Sequence, residues 1–197
     1  MRTVLGALFC IAASTSTATE IESVLAHPPV DAFYSCSEHF AEQFKWLGDA
    51  LGTDCQVNRL VEVDGRLFSR TYEGDGSRNE QWYGWDASLL SPCACEVIKL
   101  HENPVVNQPG VLGKPPASHV VLRAADGTHF LLAHIQQPEV AVGDRVLPGQ
   151  KIAHIGNNGY GRTPHVHIGA WRGETPLQIR WDQTKMRLPP EFGDGQD

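Results

Sequence analysis

Hydrophobic and polar positions alternate along several stretches of the chain, in pairs joined by short turns. Residues 57–72 alternate around Asp64-Gly65, and residues 120–135 alternate around Asp126-Gly127. Asp-Gly between two alternating segments is typical of a β-hairpin, because glycine tolerates the backbone angles that a tight turn needs. The pattern therefore predicts a mainly β protein built from hairpins.

One stretch near the N-terminus has a different period. Between Asp31 and Leu51 the apolar residues recur at helical spacing. Asp31 suits the N-cap of a helix, and Gly52 suits its end. We therefore expect one amphipathic helix packed outside the β core. Its apolar positions are Phe33, Phe40, Phe44, Leu47 and Leu51.

The first 18 residues have the pattern of a secretory signal. Arg2 precedes an apolar run at residues 4–13, and Ser16-Thr17-Ala18 offers small residues for cleavage. An apolar run of this length is shorter than the roughly 20 residues that cross a bilayer. We expect an exported protein, secreted or periplasmic, with no integral membrane segment after cleavage.

The remaining chain divides by pattern into three parts. Residues 19–79 are predicted to form an appendage of helix and hairpin, residues 80–182 the β core, and residues 183–197 a polar tail. The formal net charge is −7, without a basic stripe. Nucleic acid is therefore not an expected partner.

Four cysteines follow the signal segment: Cys36, Cys55, Cys93 and Cys95. In an oxidising compartment an even number indicates two disulfides. On an extended strand Cys93 and Cys95 lie too far apart for an unstrained bridge. This favours a pairing of each with the N-terminal region, and the competing arrangement is Cys36–Cys55 with Cys93–Cys95.

Histidines mark the candidate chemistry. His165 and His167 lie two residues apart, so on a strand they share one face. His134 ends an apolar run upstream, on the face of Phe130 and Leu132 in a regular strand. Clustered imidazoles suit a metal ligand beside a general base.

The segment from Val142 to His167 resembles the C-terminal half of lysostaphin/LytM-type zinc metallopeptidases. The similarity rests on Val142-Gly143-Asp144-x-Val146-x-x-Gly149-Gln150, on Pro164-His165-x-His167 and on Leu132-Ala133-His134. It implies a LytM-like β-sandwich or duplicated hybrid motif core, one zinc ion, and hydrolysis of peptide bonds in peptidoglycan cross-links or Gly-rich peptides. The carrier domains that share the glycine-turn pattern need a modifiable lysine after it, which is missing here.

The resemblance also implies roles for particular residues. His134 and His165 would be the catalytic pair, and Asp86 and His167 would be metal ligands. Trp82 stands where the family has its first ligand, a histidine, and an indole cannot bind a metal. Glu80, Gln81 or the loop at residues 73–79 are candidates for the third ligand, and a Cys93-x-Cys95 thiolate pair is an alternative. His27 and Asp31 also have metal-motif spacing, but they precede the expected helix in a proline-rich linker.

Two functions follow from these expectations. The first is a zinc endopeptidase that cleaves peptidoglycan. The alternative is a catalytically degenerate LytM-like domain that binds peptidoglycan or regulates another cell-wall hydrolase. The four retained positions, His134, His165, His167 and Asp86, favour the enzyme.

Overall fold

The computed structural model describes residues 20–189, and this part of the chain is mainly β. Two short 3-10 turns, Asn79–Gln81 and Gln183–Lys185, are the helical segments within it. The strands are β1 (Ser23–Ala26), β2 (Tyr34–Glu38), β3 (Thr53–Val57), β4 (Arg59–Val63), β5 (Arg66–Arg70), β6 (Ser88–Leu90), β7 (Cys95–His101), β8 (His119–Ala124), β9 (Thr128–Ala133), β10 (Ile135–Gln136), β11 (Arg145–Val146), β12 (Lys151–Ile155), β13 (Val166–Arg172) and β14 (Thr175–Trp181).

The strands form one large sheet and two small ones. Nine strands belong to the large sheet, whose main path is β1-β14-β13-β9-β8-β7-β11. β10, β12 and β6 form a three-stranded sheet, and β4 and β5 form the hairpin predicted at Asp64-Gly65. The hairpin predicted at Asp126-Gly127 is β8 and β9.

β13 is the strand that the functional face depends on. One of its edges pairs with β9 along most of its length. Its other edge is shared, because residues 166–168 pair with β3 and residues 170–172 pair with β14. β3 in turn pairs with β2, so the N-terminal segment extends the large sheet beside the first half of β13.

The hydrophobic core lies on one face of the large sheet, against the three-stranded sheet. Alternation along β9 sends Phe130 and Leu132 into this core, at 2% and 0% exposure, while Leu131 and His129 point to the opposite face. Leu89, Ile152 and Ile155 of the small sheet are also fully buried; at 25 cal/mol per Å², side chains of this kind each contribute about 1.5–3 kcal/mol. The opposite face of the large sheet is therefore free to carry polar chemistry.

The helix predicted between Asp31 and Leu51 is wrong. Residues 34–38 form β2, and turns connect it to β3. Backbone pairing with β3 outweighs the helical spacing. Three of the apolar residues that set the period are exposed instead of packed on the core: Phe40, Phe44 and Leu47.

The disulfides are Cys36–Cys55 and Cys93–Cys95, so the favoured long-range pairing is wrong and the competing one is confirmed. Cys36 lies directly opposite Cys55 in the β2–β3 register. Cys93 and Ala94 lie in bends ahead of β7, which brings the Cα atoms of Cys93 and Cys95 to 5.4 Å. The geometric objection assumed a straight strand, and the chain is not straight here.

The predicted signal segment lies outside the described residues, as do residues 190–197 of the predicted tail. None of the described helical segments is long and apolar enough to cross a membrane. Strands β1 to β3, which precede the predicted boundary at residue 80, belong to the same sheet as β13.

Candidate metal centre and groove

Strand register brings an aspartate beside the second histidine of the His-x-His pair. His167 lies opposite Asp54 of β3 on one side and opposite Ala133 of β9 on the other. Its neighbours Val166 and Ile168 are fully buried in the core, so His167 points to the opposite face. Asp54 therefore shares that face with His167.

His39 completes a group of three possible ligands. It follows β2 directly, and its backbone N–H donates to Gly52 O at 2.7 Å, which continues the β2–β3 pairing by one position. Ligand atoms of His39, Asp54 and His167 lie within 4.8 Å of one another. Two imidazoles and one carboxylate form a donor set of the kind that catalytic zinc sites use.

The hydrogen bonds of the two histidines leave the right atoms for a metal. His39 Nδ1 donates to Asp49 O at 2.9 Å, so Nε2 carries a lone pair, and this atom lies 3.4 Å from Asp54 Oδ2. His167 Nε2 donates to Gly48 O at 2.8 Å, and its Nδ1 lies 2.9 Å from Asp54 Oδ1. Metal-binding histidines usually donate their second nitrogen in this way, which fixes the ring. The donor set therefore fits a divalent cation held by His39 Nε2, the Asp54 carboxylate and His167 Nδ1.

The electrostatics of the centre favour a cation. Partial burial raises the pKa of Asp54, but the hydrogen bond from His167 and the nearby His165 and His39 outweigh it and hold that pKa well below its usual range. Burial lowers the pKa of His167, whereas the Asp54 hydrogen bond and charge raise it more, so the net shift is upward. Asp54 is thus a carboxylate at every physiological pH, and a positive charge beside it is stabilised.

The loop at residues 46–52 is seated on β13 through two glycines. A Cβ on Gly169 would overlap the carbonyl oxygen of Gly48, the same oxygen that accepts from His167. Gly48 itself has φ of +97°, which a residue with a side chain rarely adopts. The Gly48 carbonyl can therefore accept from His167 only because residue 169 is a glycine and has no Cβ.

His134 and His165 lie next to this centre as a pair. Their ring centroids are 4.3 Å apart, and the His165 Nε2 lies 3.9 Å from Asp54 Oδ1. Regular alternation would send His134 into the core with Leu132. Its φ of +63° ends the alternation, and the side chain lines the opposite face.

Both members of the pair are held as neutral imidazoles. His134 Nδ1 donates to Asn158 O at 2.7 Å, and His165 Nδ1 donates to Thr163 O at 2.7 Å, so each Nε2 is free to accept a proton. Burial, reinforced by His165, lowers the pKa of His134 to about 3. Burial also lowers the pKa of His165, although Asp54 opposes the shift.

The predicted ligand Asp86 lies elsewhere. Its carboxylate accepts from the amides of Gln136 and Gln137, both at 3.2 Å, and lies 3.1 Å from His154 Nδ1. It is not among the residues that line the histidine face. The structure therefore brings together His134, His165 and His167 but not Asp86.

The side chain of Trp82 packs against its neighbours and does not approach the candidate metal ligands. Its indole N–H donates to Gly76 O at 2.9 Å, and its ring packs on Tyr72 with centroids 4.8 Å apart. Cys93 and Cys95, the alternative thiolate ligands, form a disulfide with each other and so offer no thiolate to a metal.

His39 and Asp54 are the functional residues that the sequence reasoning missed. The signal for them was the competing disulfide. If Cys36 pairs with Cys55 in antiparallel strands, His39 falls opposite Gly52 and Ser37 falls opposite Asp54. The competing disulfide pairing therefore implied the strand register that brings His39 and Asp54 together.

The centre opens into a groove of about 1030 Å³ on the same face of the large sheet. β9, β8 and β7 supply its floor. Phe44 and Leu47 flank it near the metal centre, and Tyr160 and the segment at residues 115–117 also line it. Trp171 stacks on His129 at 5.1 Å between centroids, which adds a flat aromatic surface.

A protein-family model matches the part of the chain that carries the three clustered histidines. Residues 98–179 match the family model described as Peptidase family M23. His39 and Asp54 lie outside this match. Comparison with curated protein sequences gave no match.

Comparison with solved structures found several similar chains, among them the following three. The catalytic domain of the antimicrobial peptidase lysostaphin from Staphylococcus simulans is 17% identical, with TM-score 0.43 over 73% of this chain and 87% of that chain. A chain of the SpoIIQ–SpoIIIAH pore-forming complex is 19% identical, with TM-score 0.47 over 87% of this chain and 96% of that chain. The deep-sea M23 metalloprotease pseudoalterin is 13% identical, with TM-score 0.47 over 78% of this chain and 74% of that chain.

Proposed function

We propose that the protein is a zinc-dependent peptidase; the match of residues 98–179 to the model described as Peptidase family M23 supports this proposal. In this proposal His39, Asp54 and His167 hold the metal, and His134 and His165 are the catalytic pair. Asp54 takes the ligand role that the sequence assigned to Asp86.

One observation carries the proposal. Ligand atoms of His39, Asp54 and His167 converge within 4.8 Å, directly beside two neutral imidazoles whose Nε2 atoms are free. Three protein ligands with an open position beside a general base are what metal-assisted hydrolysis needs.

Zinc bound by these residues would supply a Lewis acid that polarises a peptide carbonyl and makes water more acidic. The histidine pair supplies the proton chemistry. A neutral imidazole at His134 or His165 accepts a proton from the attacking water, and the imidazolium that results can donate to the leaving amine. The carbonyls of Asn158 and Thr163 fix both rings, so neither has to reorient during the reaction.

The groove favours an extended peptide as substrate. Its floor is a β-sheet face with small and apolar positions such as Ala133, Leu131 and Val121. Flexible, Gly-rich or D-amino-acid peptides of peptidoglycan cross-links fit such a groove, because they have few bulky side chains. Two disulfides in the described residues support a secreted or periplasmic location.

The experiment is hydrolysis of purified peptidoglycan and of pentaglycine by the full chain, with zinc present or removed by chelator. We expect new amino groups to appear only with metal. His134→Asn and His165→Asn should each lower the rate by about 10²- to 10⁴-fold, the usual contribution of a general acid or base, while His27→Ala, outside the groove, should not.

A zinc-loaded protein that cleaves neither substrate would contradict the peptidase and favour the degenerate domain that binds peptidoglycan or regulates another hydrolase. Binding of intact peptidoglycan by that same preparation would then identify the alternative.

A further inference from the structure

Lys99 is a cation at the far end of the groove floor. β13, β9, β8 and β7 lie side by side, and His167, Ala133, His119 and His101 form one row across them. Lys99 is two residues from His101 on β7, so it lies in the next row, opposite Val121. It lines the same groove as the metal centre.

The row geometry gives the distance between Lys99 and the metal centre. Three strand spacings of about 4.8 Å and one two-residue step of about 6.7 Å place the Cα atoms of Lys99 and His167 about 16 Å apart. At roughly 3.3 Å per residue of extended peptide, this separation corresponds to about five residues.

No acidic side chain of residues 20–189 compensates Lys99. Four described basic residues form ion pairs with acidic side chains: Arg123–Glu96, Lys151–Glu139, Arg172–Asp126 and Arg187–Asp31. Lys99 has no carboxylate oxygen within 4.0 Å among these residues. The two carboxylates that line the groove, Asp49 and Asp54, both lie beside His167 at its other end.

The surroundings of Lys99 are neutral and partly apolar. Ile98, Val121 and Pro115-Pro116 line the groove around it. His119 also lines the groove. Burial lowers its pKa, the hydrogen bond to Ala117 O opposes this shift, and Lys99 and His101 lower the pKa further. The groove thus has an acidic end occupied by the metal centre and a single cationic group at the opposite end.

We propose that Lys99 binds a carboxylate of the peptide substrate, about five residues of extended peptide from the metal centre. This inference rests on the proposed peptidase function and specifies its substrate class: peptides that carry a free C-terminal carboxylate or an acidic side chain on that side of the bond. An unpaired ammonium group on a partly apolar floor recognises such a carboxylate by charge and by its three N–H donors.

The test is equilibrium binding, measured by fluorescence anisotropy with N-terminally labelled peptides on the zinc-loaded full chain. His134→Asn is the background, so that turnover does not interfere. The probes are pentaglycine with a free C-terminus, pentaglycine amide, and amidated peptides with Glu or Gln at the fifth position. The free-acid and Glu peptides should bind about fivefold more tightly than their neutral partners, a modest value because Lys99 is exposed. Which of the two gains more identifies the source of the carboxylate.

Lys99→Met keeps the side-chain length and should abolish this preference. Lys99→Arg should retain it, as should Lys151→Met, which removes a lysine on β12 outside the groove. A preference that persists in Lys99→Met would overturn the proposal, because the carboxylate would then bind elsewhere, for example at the metal. Equal binding of charged and neutral peptides by the background protein, or no binding of any probe, would also overturn it.

Hydrolysis by the protein with His134 intact is measured separately. A carboxylate preference that depends on Lys99, in a protein that cleaves nothing, would contradict the peptidase and leave the binding site in place.

Discussion

At the scale of single residues, the centre is organised by the carbonyl groups behind each imidazole. Gly48, Asp49, Asn158 and Thr163 each accept from one ring nitrogen of His167, His39, His134 and His165, respectively. Because a carbonyl can only accept, each of these contacts decides which nitrogen of the ring is left for chemistry.

The buried neutral state of His134 makes a prediction for stability in the metal-free protein. Its pKa is about 3 in the folded chain and about 6.5 when unfolded. Between these values the unfolded state binds more protons, so the contribution of His134 to the free energy of unfolding rises with pH and is complete above pH 6.5. The difference between wild type and His134→Asn should therefore increase from pH 4 to pH 7, by at most about 1.4 kcal/mol per pH unit. Asparagine is chosen because it tolerates the positive φ at this position.

Chemical denaturation at several pH values, with chelator present, measures this difference. A difference that stays constant, or that falls as pH rises, would mean that His134 is not held neutral by burial.

Trp82 provides a second prediction at this scale. Trp82→His would introduce the histidine that the lysostaphin/LytM-type family has as its first metal ligand. Since the indole donates to Gly76 and packs on Tyr72, we expect the variant to lose about 1–2 kcal/mol of stability and gain no zinc affinity. Zinc titration and denaturation of the two proteins check both parts, and tighter zinc binding by the variant would contradict the placement of the centre.

At the scale of elements, the metal centre depends on β2 and β3 being held together. The Cys36–Cys55 bridge joins these strands at facing positions, with Cα atoms 4.0 Å apart. It fixes His39, three residues after Cys36, beside Asp54, which adjoins Cys55. The second bridge, Cys93–Cys95, joins neighbours at the start of β7 and contributes nothing to this geometry.

Replacing Cys36 and Cys55 together by alanine should therefore lower zinc affinity by tenfold or more. It should also destabilise the fold by about 3 kcal/mol, the value typical of a loop of this length. The matched variant, with Cys93 and Cys95 replaced by alanine, should keep its zinc affinity within about threefold, since an element remote from the ligands is changed. Competition with a chromogenic chelator measures both. Equal losses in the two variants would show that the bridge has no special role in the centre.

The seat of the 46–52 loop on β13 gives a further prediction. A methyl group at position 169 would overlap Gly48 O, so Gly169→Ala should displace the acceptor of His167. We expect loss of zinc binding and a stability decrease of about 1–3 kcal/mol, as for an overpacked site. Gly84→Ala is the control, because a Cβ there would meet its neighbours at 3.6 Å or more, an ordinary contact distance. Should Gly169→Ala bind zinc as wild type does, the loop is not held as described.

At the scale of the whole molecule, the hairpins and the histidine face could be predicted from the sequence, and two of the three metal ligands could not. Asp64-Gly65 and Asp126-Gly127 identify their hairpins because the turn residues and the alternation agree. His165 and His167 identify a polar face because they lie two apart beside buried Val166 and Ile168. These signals are local.

Asp54 and His39 could not be found from local signals, because their positions depend on which strand pairs with residues 166–168 of β13. The helical spacing between Asp31 and Leu51 concealed the strand that carries Cys36. The Cys36–Cys55 bridge, which indicates the β2–β3 pairing, was only the competing disulfide arrangement. Asp86 was assigned by its place in a motif, and the fold places it beside His154 instead.

We propose that Asp54, and not Asp86, completes a zinc centre with His39 and His167. Zinc stoichiometry and affinity of the purified protein, compared with those of Asp54→Asn and Asp86→Asn, test this assignment. We expect one zinc per chain in wild type and in Asp86→Asn, with affinities within about threefold of each other. Asp54→Asn should lose at least a hundredfold in affinity, because it removes a ligand, whereas Asp86→Asn removes only a surface carboxylate. A wild type that binds no zinc, or a loss in Asp86→Asn as large as that in Asp54→Asn, would contradict it.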